Sequence, residues 1–314
     1  MTTSGLTSFN LDLNDMVEEA FERAGSELRT GYDLRTARRS LNLLFADWAN
    51  RGVNMWTFEQ NTITLATGQP TYALPDDTVD LLDHVIRTNA NVTNNQADLT
   101  ITRISVSTYA TIPNKLIQAR PIQLWIQRLS GNSNVLVGTV QATTSATATT
   151  IPITSLEGVP TAGFIRIGTE LIAYNETTPA SGATPAYLLN CARAQEGTAA
   201  QLSAGAAISL VQKNSITVWP TPNAGTTYQF VYWRMRRIQD AGGGTKTMDV
   251  PFRFVPCLAA GLAYYIALKV PEGLQRLDVL KQQYDEAWDR AAGEDQEKAA
   301  VRFVPRQMYI GSGT

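Results

Sequence analysis

Histidine is nearly missing from this sequence: His84 is the only one in 314 residues. A Ser-His-Asp or Cys-His enzyme would have to be built on it, and a two-histidine metal site is excluded within one chain. Cysteine is almost as scarce. Cys191 and Cys257 stand far apart with no CxxC partner, so neither a disulfide framework nor a zinc site fits. Charge is thin, at 17% of residues against the usual quarter. The 26 basic and 28 acidic residues nearly cancel, which argues against a protein that coats nucleic acid by bulk electrostatics. Long apolar runs are also lacking. The longest, residues 254–268, is broken by Pro256 and Gly261 and is too short to span a bilayer. Residues 1–10 carry neither the basic stretch nor the apolar run of a secretory signal. A soluble protein without membrane contact, suited to a reducing cytoplasm or indifferent to redox, is expected.

What is present points to folded domains. Hydrophobic residues reach 44% and aromatics are spread throughout, so most of the chain can bury a core. The length suits two domains, or one with a large insertion. Asp12 or Asn14 can cap a first helix, in which Met16, Val17, Ala20, Phe21 and Ala24 share a face and Gly25 stands at the C-cap position. A second helix is expected from Asp33 to Asn50, with an apolar stripe of Leu34, Ala37, Leu41, Leu44, Phe45 and Trp48. Arg35, Arg38 and Arg39 lie elsewhere on that helix, either on a solvated face paired with Glu18, Glu19 or Glu22 or in contact with a partner or DNA. From residue 53 the period changes to two. Strands are expected over 56–65, 72–75, 80–88, 98–105 and 121–128, with a short helix or turn at 109–115.

Residues 131–212 then turn rich in Thr, Ala, Gly and Ser. Short β-branched runs at 134–140, 149–153, 165–174 and 207–211 read as an inserted small all-β module. Strands resume at 215–219 and 228–238, and helices return at 251–270 and 271–292. The fold class expected is α+β, with terminal helices forming a bundle on one side of a β-sheet region, plus the insertion. The helical bundle is drawn from 10–52 and 251–298, the β region from 53–130 and 213–240, and a C-terminal tail from 299–314.

Few groupings suggest chemistry. Gly242-Gly243-Gly244-Thr245-Lys246-Thr247 departs from a phosphate loop, because Thr245 separates the last glycine from Lys246. It reads better as a flexible hairpin loop. His84 in Asp80-Leu81-Leu82-Asp83-His84 reads as a sheet histidine. Acid pairs such as Asp76/Asp77 and Asp285/Glu286 could serve a glycosidase only at a fixed three-dimensional separation. The strand over 228–237 interleaves Tyr228, Phe230, Tyr232 and Trp233 with Arg234, Arg236 and Arg237. That mixture suits single-strand binding or, as favoured here, a sheet rim facing a neighbouring subunit. No catalytic, metal or cofactor site is expected.

Residues 11–15 (Leu-Asp-Leu-Asn-Asp), Glu18-Glu19-Ala20-Phe21-Glu22-Arg23 and the run from Arg29 to Asn42 closely resemble the opening of head-to-tail adaptor proteins of short-tailed bacteriophages. The pattern continues through Trp48-Ala49-Asn50-Arg51-Gly52, Thr67-Gly68, Tyr72-Ala73-Leu74-Pro75, Trp219-Pro220 and the alanine-rich helix after Pro251. It covers roughly 9–130 and 213–306. The insertion departs from the minimal pattern; its Ile167-Gly168-Thr169-Glu170 and Cys191–Ala200 segments look like a β module that recurs in phage tail proteins. The resemblance implies a virion assembly protein, not an enzyme: a dodecameric ring beneath the portal protein ring, extending the channel for packaged double-stranded DNA and offering a platform to the tail nozzle protein and tail fibres. In such adaptors the C-terminal tail reaches along the portal. Arg302, Phe303, Val304, Pro305, Arg306, Met308 and Tyr309 would then dock on the portal, and Arg35, Arg38, Arg39, Trp233, Arg234, Arg236 and Arg237 are candidates for subunit interfaces. Competing readings are a tail-associated cell-wall hydrolase, and a host-glycan or capsid-binding module carried by the insertion.

Overall fold

The computed structural model describes residues 9, 11–28, 31–52, 55–129 and 135–295. Its fold is α+β. The chain divides into a helical unit, drawn from residues up to 58 and from 237 onward, and a β-rich unit of residues 59–236. The α-helices among the described residues are α1 (Leu13–Ala24), α2 (Gly31–Arg51), the short α3 (Val106–Ala110), α4 (Val255–Ala267) and α5 (Leu277–Glu294).

Local signals set the helix ends. The Asp12 carboxylate accepts the Asp15 N–H at 2.9 Å, and Gly25 ends α1 in the left-handed region at φ 82°. Two further N–H groups at the start of α1 donate to the glycine-rich loop, Leu13 to the Lys246 carbonyl and Asn14 to that of Gly244, both at 3.1 Å. The loop expected to be a hairpin is thus a cap, because the first turn of a helix leaves N–H donors in need of acceptors. α2 begins at Gly31, two residues before the expected Asp33. The helix expected from Pro271 opens as a 3₁₀ stretch, Pro271–Arg276, and becomes α-helical only at Leu277. Leu274, within that 3₁₀ stretch, is exposed.

The helices bury their apolar faces against each other, as the expected bundle requires. α4 has almost no polar face, and its buried Leu258, Ala259, Ala260, Leu262, Ala263 and Ile266 meet the stripes of α1, α2 and α5. Its small residues permit close approach. A Cβ at Gly261 would stand 2.9 Å from the Tyr284 ring and 3.0 Å from Leu44. Trp48 fills the centre, 5.5 Å from Phe254 and 5.3 Å from Trp288, and donates Nε1–H to the Tyr284 hydroxyl at 2.9 Å.

The β-rich unit runs through β1 (Phe58–Leu65), β2 (Thr71–Ala73), β3 (Thr78–Thr88), β4 (Ala97–Thr100), β5 (Thr102–Arg103) and β6 (Gln123–Gln127). The insertion adds β7 (Val135–Thr139), β8 (Ile151–Ile153), β9 (Gly163–Ile167), β10 (Glu170–Tyr174), β11 (Glu176–Thr178), β12 (Ala186–Leu189), β13 (Ala192–Glu196) and β14 (Ala207–Val211). The chain returns through β15 (Ser215–Trp219) and β16 (Tyr228–Arg236). Two four-stranded sheets, β1-β16-β3-β4 and β2-β15-β6-β5, share a core of Leu65, Leu81, Ile86 and Phe230 from one and Tyr72, Leu124, Ile216 and Val218 from the other.

The insertion has its own sheets, β13-β10-β9-β14-β7 and β11-β12-β8, around Ile151, Ile165, Ile172, Tyr174, Leu188 and Ile208. The run read as one strand over 165–174 is a hairpin. Ile167 pairs with Glu170 across Gly168-Thr169, and Gly168 takes the positive φ of 60° that so tight a turn needs. Register also places the insertion's two ends together: Gln127 pairs with Ser215, and beyond them Val135 pairs with Leu210.

Candidate functional site

His84 lies half-buried on β3, its ring 6.0 Å from that of Phe230. Burial lowers its pKa while Asp83 acts in the opposite sense, and Nδ1 has no hydrogen-bond partner among the described residues. Cys191 and Cys257 are free, and burial pushes both thiols up to about 12, away from the nucleophilic thiolate. Among the described residues no cluster of His, Cys, Asp and Glu could hold a metal ion, and no helix is long and apolar enough to cross a membrane.

Carboxylates are instead gathered on cations. In the insertion, Arg193 binds Glu170 with two nitrogens at 2.8 and 2.7 Å, and both side chains are buried. Burial raises the pKa of Glu170, but that guanidinium and the N–H groups of Ala194 and Ala200 outweigh it and hold the carboxyl below its usual range. The Lys213 side chain is 1% exposed and binds Asp76 at 2.8 Å together with Glu196, tying the insertion to the turn before β3. Glu196 is pushed up by burial, yet bonds from Lys213 and Arg166 leave it below the normal range. A glycosidase acid needs the opposite shift.

The strand of mixed aromatics and arginines separates by face. Tyr228, Phe230 and Tyr232 are buried in the shared core, so they offer no stacking platform to a nucleic acid. Arg234 is buried between Asp77 and Glu59, at 2.9 Å from the latter, and Arg236 donates Nε–H to Glu59 at 2.7 Å. Both of these interface candidates thus have carboxylate partners within the chain. Trp233 is half-buried beside Asp83, and Arg237 is exposed just after the strand.

The arginines of α2 divide in a similar way. Arg38 donates Nε–H to the Ala241 carbonyl at 3.0 Å, so it helps hold the glycine-rich loop. Arg35 and Arg39 are exposed and have no ion-pair partner among the described residues; Glu19, one expected partner, binds Arg23 at 2.6 Å. They fall on a stripe, Tyr32, Arg35, Arg39, Leu43, Ala46 and Asn50, whose steps of three and four keep it on the outer face of α2. Tyr32 is 65% exposed and Leu43 is 54% exposed, large values for residues of their size on a packed bundle. Lys269 extends the basic patch. Burial lowers its pKa, and the neighbouring Arg39 charge adds to that.

On α5 the outward face carries the opposite sign. Asp278, Gln282, Asp285 and Asp289 follow each other at steps of four, three and four, with Glu286 and the exposed Val279 beside them. Asp278, Asp285 and Asp289 have no cation partner among the described residues. That acidic stripe was visible in the sequence spacing but went unread. The carboxylates Glu59, Asp76, Asp77 and Glu196 could not be read in the same way, since only strand pairing brings them to their cations. The portal-docking residues Arg302, Phe303, Val304, Pro305, Arg306, Met308 and Tyr309 lie outside the described residues.

No protein-family model matches the chain, and no curated protein matches it.

Proposed function

We propose that this chain is a structural assembly subunit that builds a head-to-tail ring, acting as a virion adaptor between a portal ring and a tail nozzle. The family-like opening of the sequence supplies the adaptor reading. The observation that carries the ring is the pairing of unsatisfied faces on one helical unit, basic on α2 and acidic on α5. A heterologous contact needs two different, complementary patches on every subunit, and it closes into a ring when the rotation allows. Tyr32 and Leu43 on one face and Val279 on the other would supply the apolar centre, with the charges as its rim. In this reading the ring extends a channel for packaged DNA, and near-neutral charge avoids gripping the phosphates.

The test uses charge reversal and recombination. Native mass spectrometry of R35E/R39E and of D278K/D285K/D289K should find each variant unassembled alone. Each keeps one wild-type face, so a mixture of the two should recover assembly through alternating contacts, one between the two wild-type faces and the next between the two reversed ones. Assembly by either variant alone, at wild-type level, overturns the proposed interface. A zymogram on the purified chain addresses the cell-wall hydrolase reading separately.

A further inference from the structure

A groove at the seam between the insertion and its supporting sheet combines chemistry that the assembly reading does not use. Thr71, Thr217 and Trp125 form one row across β2, β15 and β6, because each is the register partner of the next. Gln127 lies two residues along β6 and so shares that face. Phe164 and Asn175 from the insertion, together with Leu116, line the same groove. Tyr109 of α3 stacks on Trp125, with 5.5 Å between centroids and 21° between planes. Together these residues bound a cavity of about 240 Å³, smaller than those that take drug-sized ligands.

The polarity of the lining restricts the occupant. Its single charged residue is Lys115, whose ammonium is engaged by the Ile112 carbonyl at 2.9 Å and lies 5.4 Å from the Tyr109 ring centroid. An anion would find a single ammonium whose donors are already directed to the Ala110 and Ile112 carbonyls, and a cation would find no carboxylate. The indole N–H of Trp125 and the carboxamides of Gln127 and Asn175 have no hydrogen-bond partner among the described residues, whereas the Thr71 and Thr217 hydroxyls bond each other at 3.1 Å. A ring with weakly positive C–H hydrogens on its faces packs well against the negative face of an aromatic ring. Hydroxyl groups around its edge, which both donate and accept, match carboxamides and an indole N–H. A purely apolar ligand would leave those groups unpaired.

We propose that this groove is a saccharide site that takes one uncharged pyranose ring of a glycan. Glycan contact then belongs to the seam, not to the insertion alone. The proposal does not depend on ring assembly.

Saturation-transfer NMR on the full chain with a panel of neutral methyl pyranosides, at up to about 10 mM, reads the binding directly. Signal from at least one neutral glycoside is expected. Trp125→Ala should abolish it, and because that variant could also disturb the sheet, Gln127→Ala and Asn175→Ala are made alongside. Each carboxamide variant should keep wild-type cooperative unfolding and weaken binding about tenfold. No transfer from any neutral glycoside overturns the proposal, as does binding unchanged in both carboxamide variants. Response of the Trp125 indole signal to a proline-rich peptide and to no glycoside would assign the groove to peptide recognition instead.

Discussion

Glu170 shows how much one charge can decide inside the insertion, a segment with very few. Its carboxylate is buried against Arg193, which also donates to the carbonyls of Ser145 and Ala200 at 2.7 and 2.6 Å. Removing the carboxylate would leave a buried guanidinium without its counter-charge, so Glu170→Ala is expected to cost about 3–5 kcal/mol. The pH dependence follows from the direction of the shift. A carboxyl whose folded pKa is lowered contributes stability that is fully present above its unfolded value of about 4.3, and lost as pH falls through the folded value. Urea unfolding of the wild type should therefore vary little on this account from neutral pH down to about 5, and weaken steeply below about 4. Glu170→Gln, which keeps the shape but not the charge, should be less stable at pH 7 and flatter in acid. A Gln variant with the wild-type acid slope would show that Glu170 does not govern it.

At the scale of elements, legibility followed the range of the forces involved. The ends of α1 were readable because Asp12 and Gly25 act within their own turns. α4 was readable because its apolar residues have no competing period. The strands β11, β12 and β13 were missed, since three- to five-residue strands flanked by Gly, Pro and Asn carry too little alternation. Arg234 was misread because Glu59 and Asp77 lie 175 and 157 residues away in the chain, a distance only the β1-β16-β3 pairing closes. The groove of Tyr109, Trp125 and Asn175 was invisible for the same reason. The insertion's ends were foreseeable, and their closeness gives a test. The β2-β15-β6-β5 sheet is complete without any strand of the insertion, and Leu129 N–H already reaches the Asn214 side chain at 2.8 Å. Joining residue 129 to residue 213 through a short Gly-Ser link should leave a cooperatively unfolding protein, since loop changes at adjacent strand ends carry little entropic cost. Lys213 would keep Asp76 and become hydrated. Loss of cooperative unfolding would mean that packing of Phe164, Leu171 and Val211 near Ala73 is required for the flanking sheets.

For the whole molecule, the distribution of charge matters more than its sum. A net charge of -2 on 314 residues gives copies of the chain little bulk attraction or repulsion. In the proposed ring, segregation onto separate helices would provide orientation instead: α2 holds four arginines and two aspartates, whereas α5 holds five acidic and two basic residues. Charges at the rim of a contact act mainly on the rate of encounter, while the buried centre sets the rate of departure. Screening length falls from about 10 Å at 0.1 M salt to about 3 Å at 1 M, so encounter between these faces should slow sharply across that range. Departure should change little, because Tyr32, Leu43 and Val279 would be desolvated at the centre and are indifferent to ionic screening. Kinetics of association measured by light scattering, and of dissociation after dilution, separate the two effects. If assembly instead speeds up as salt rises, apolar burial is its driving force, and the complementary faces of α2 and α5 are not what brings the copies together.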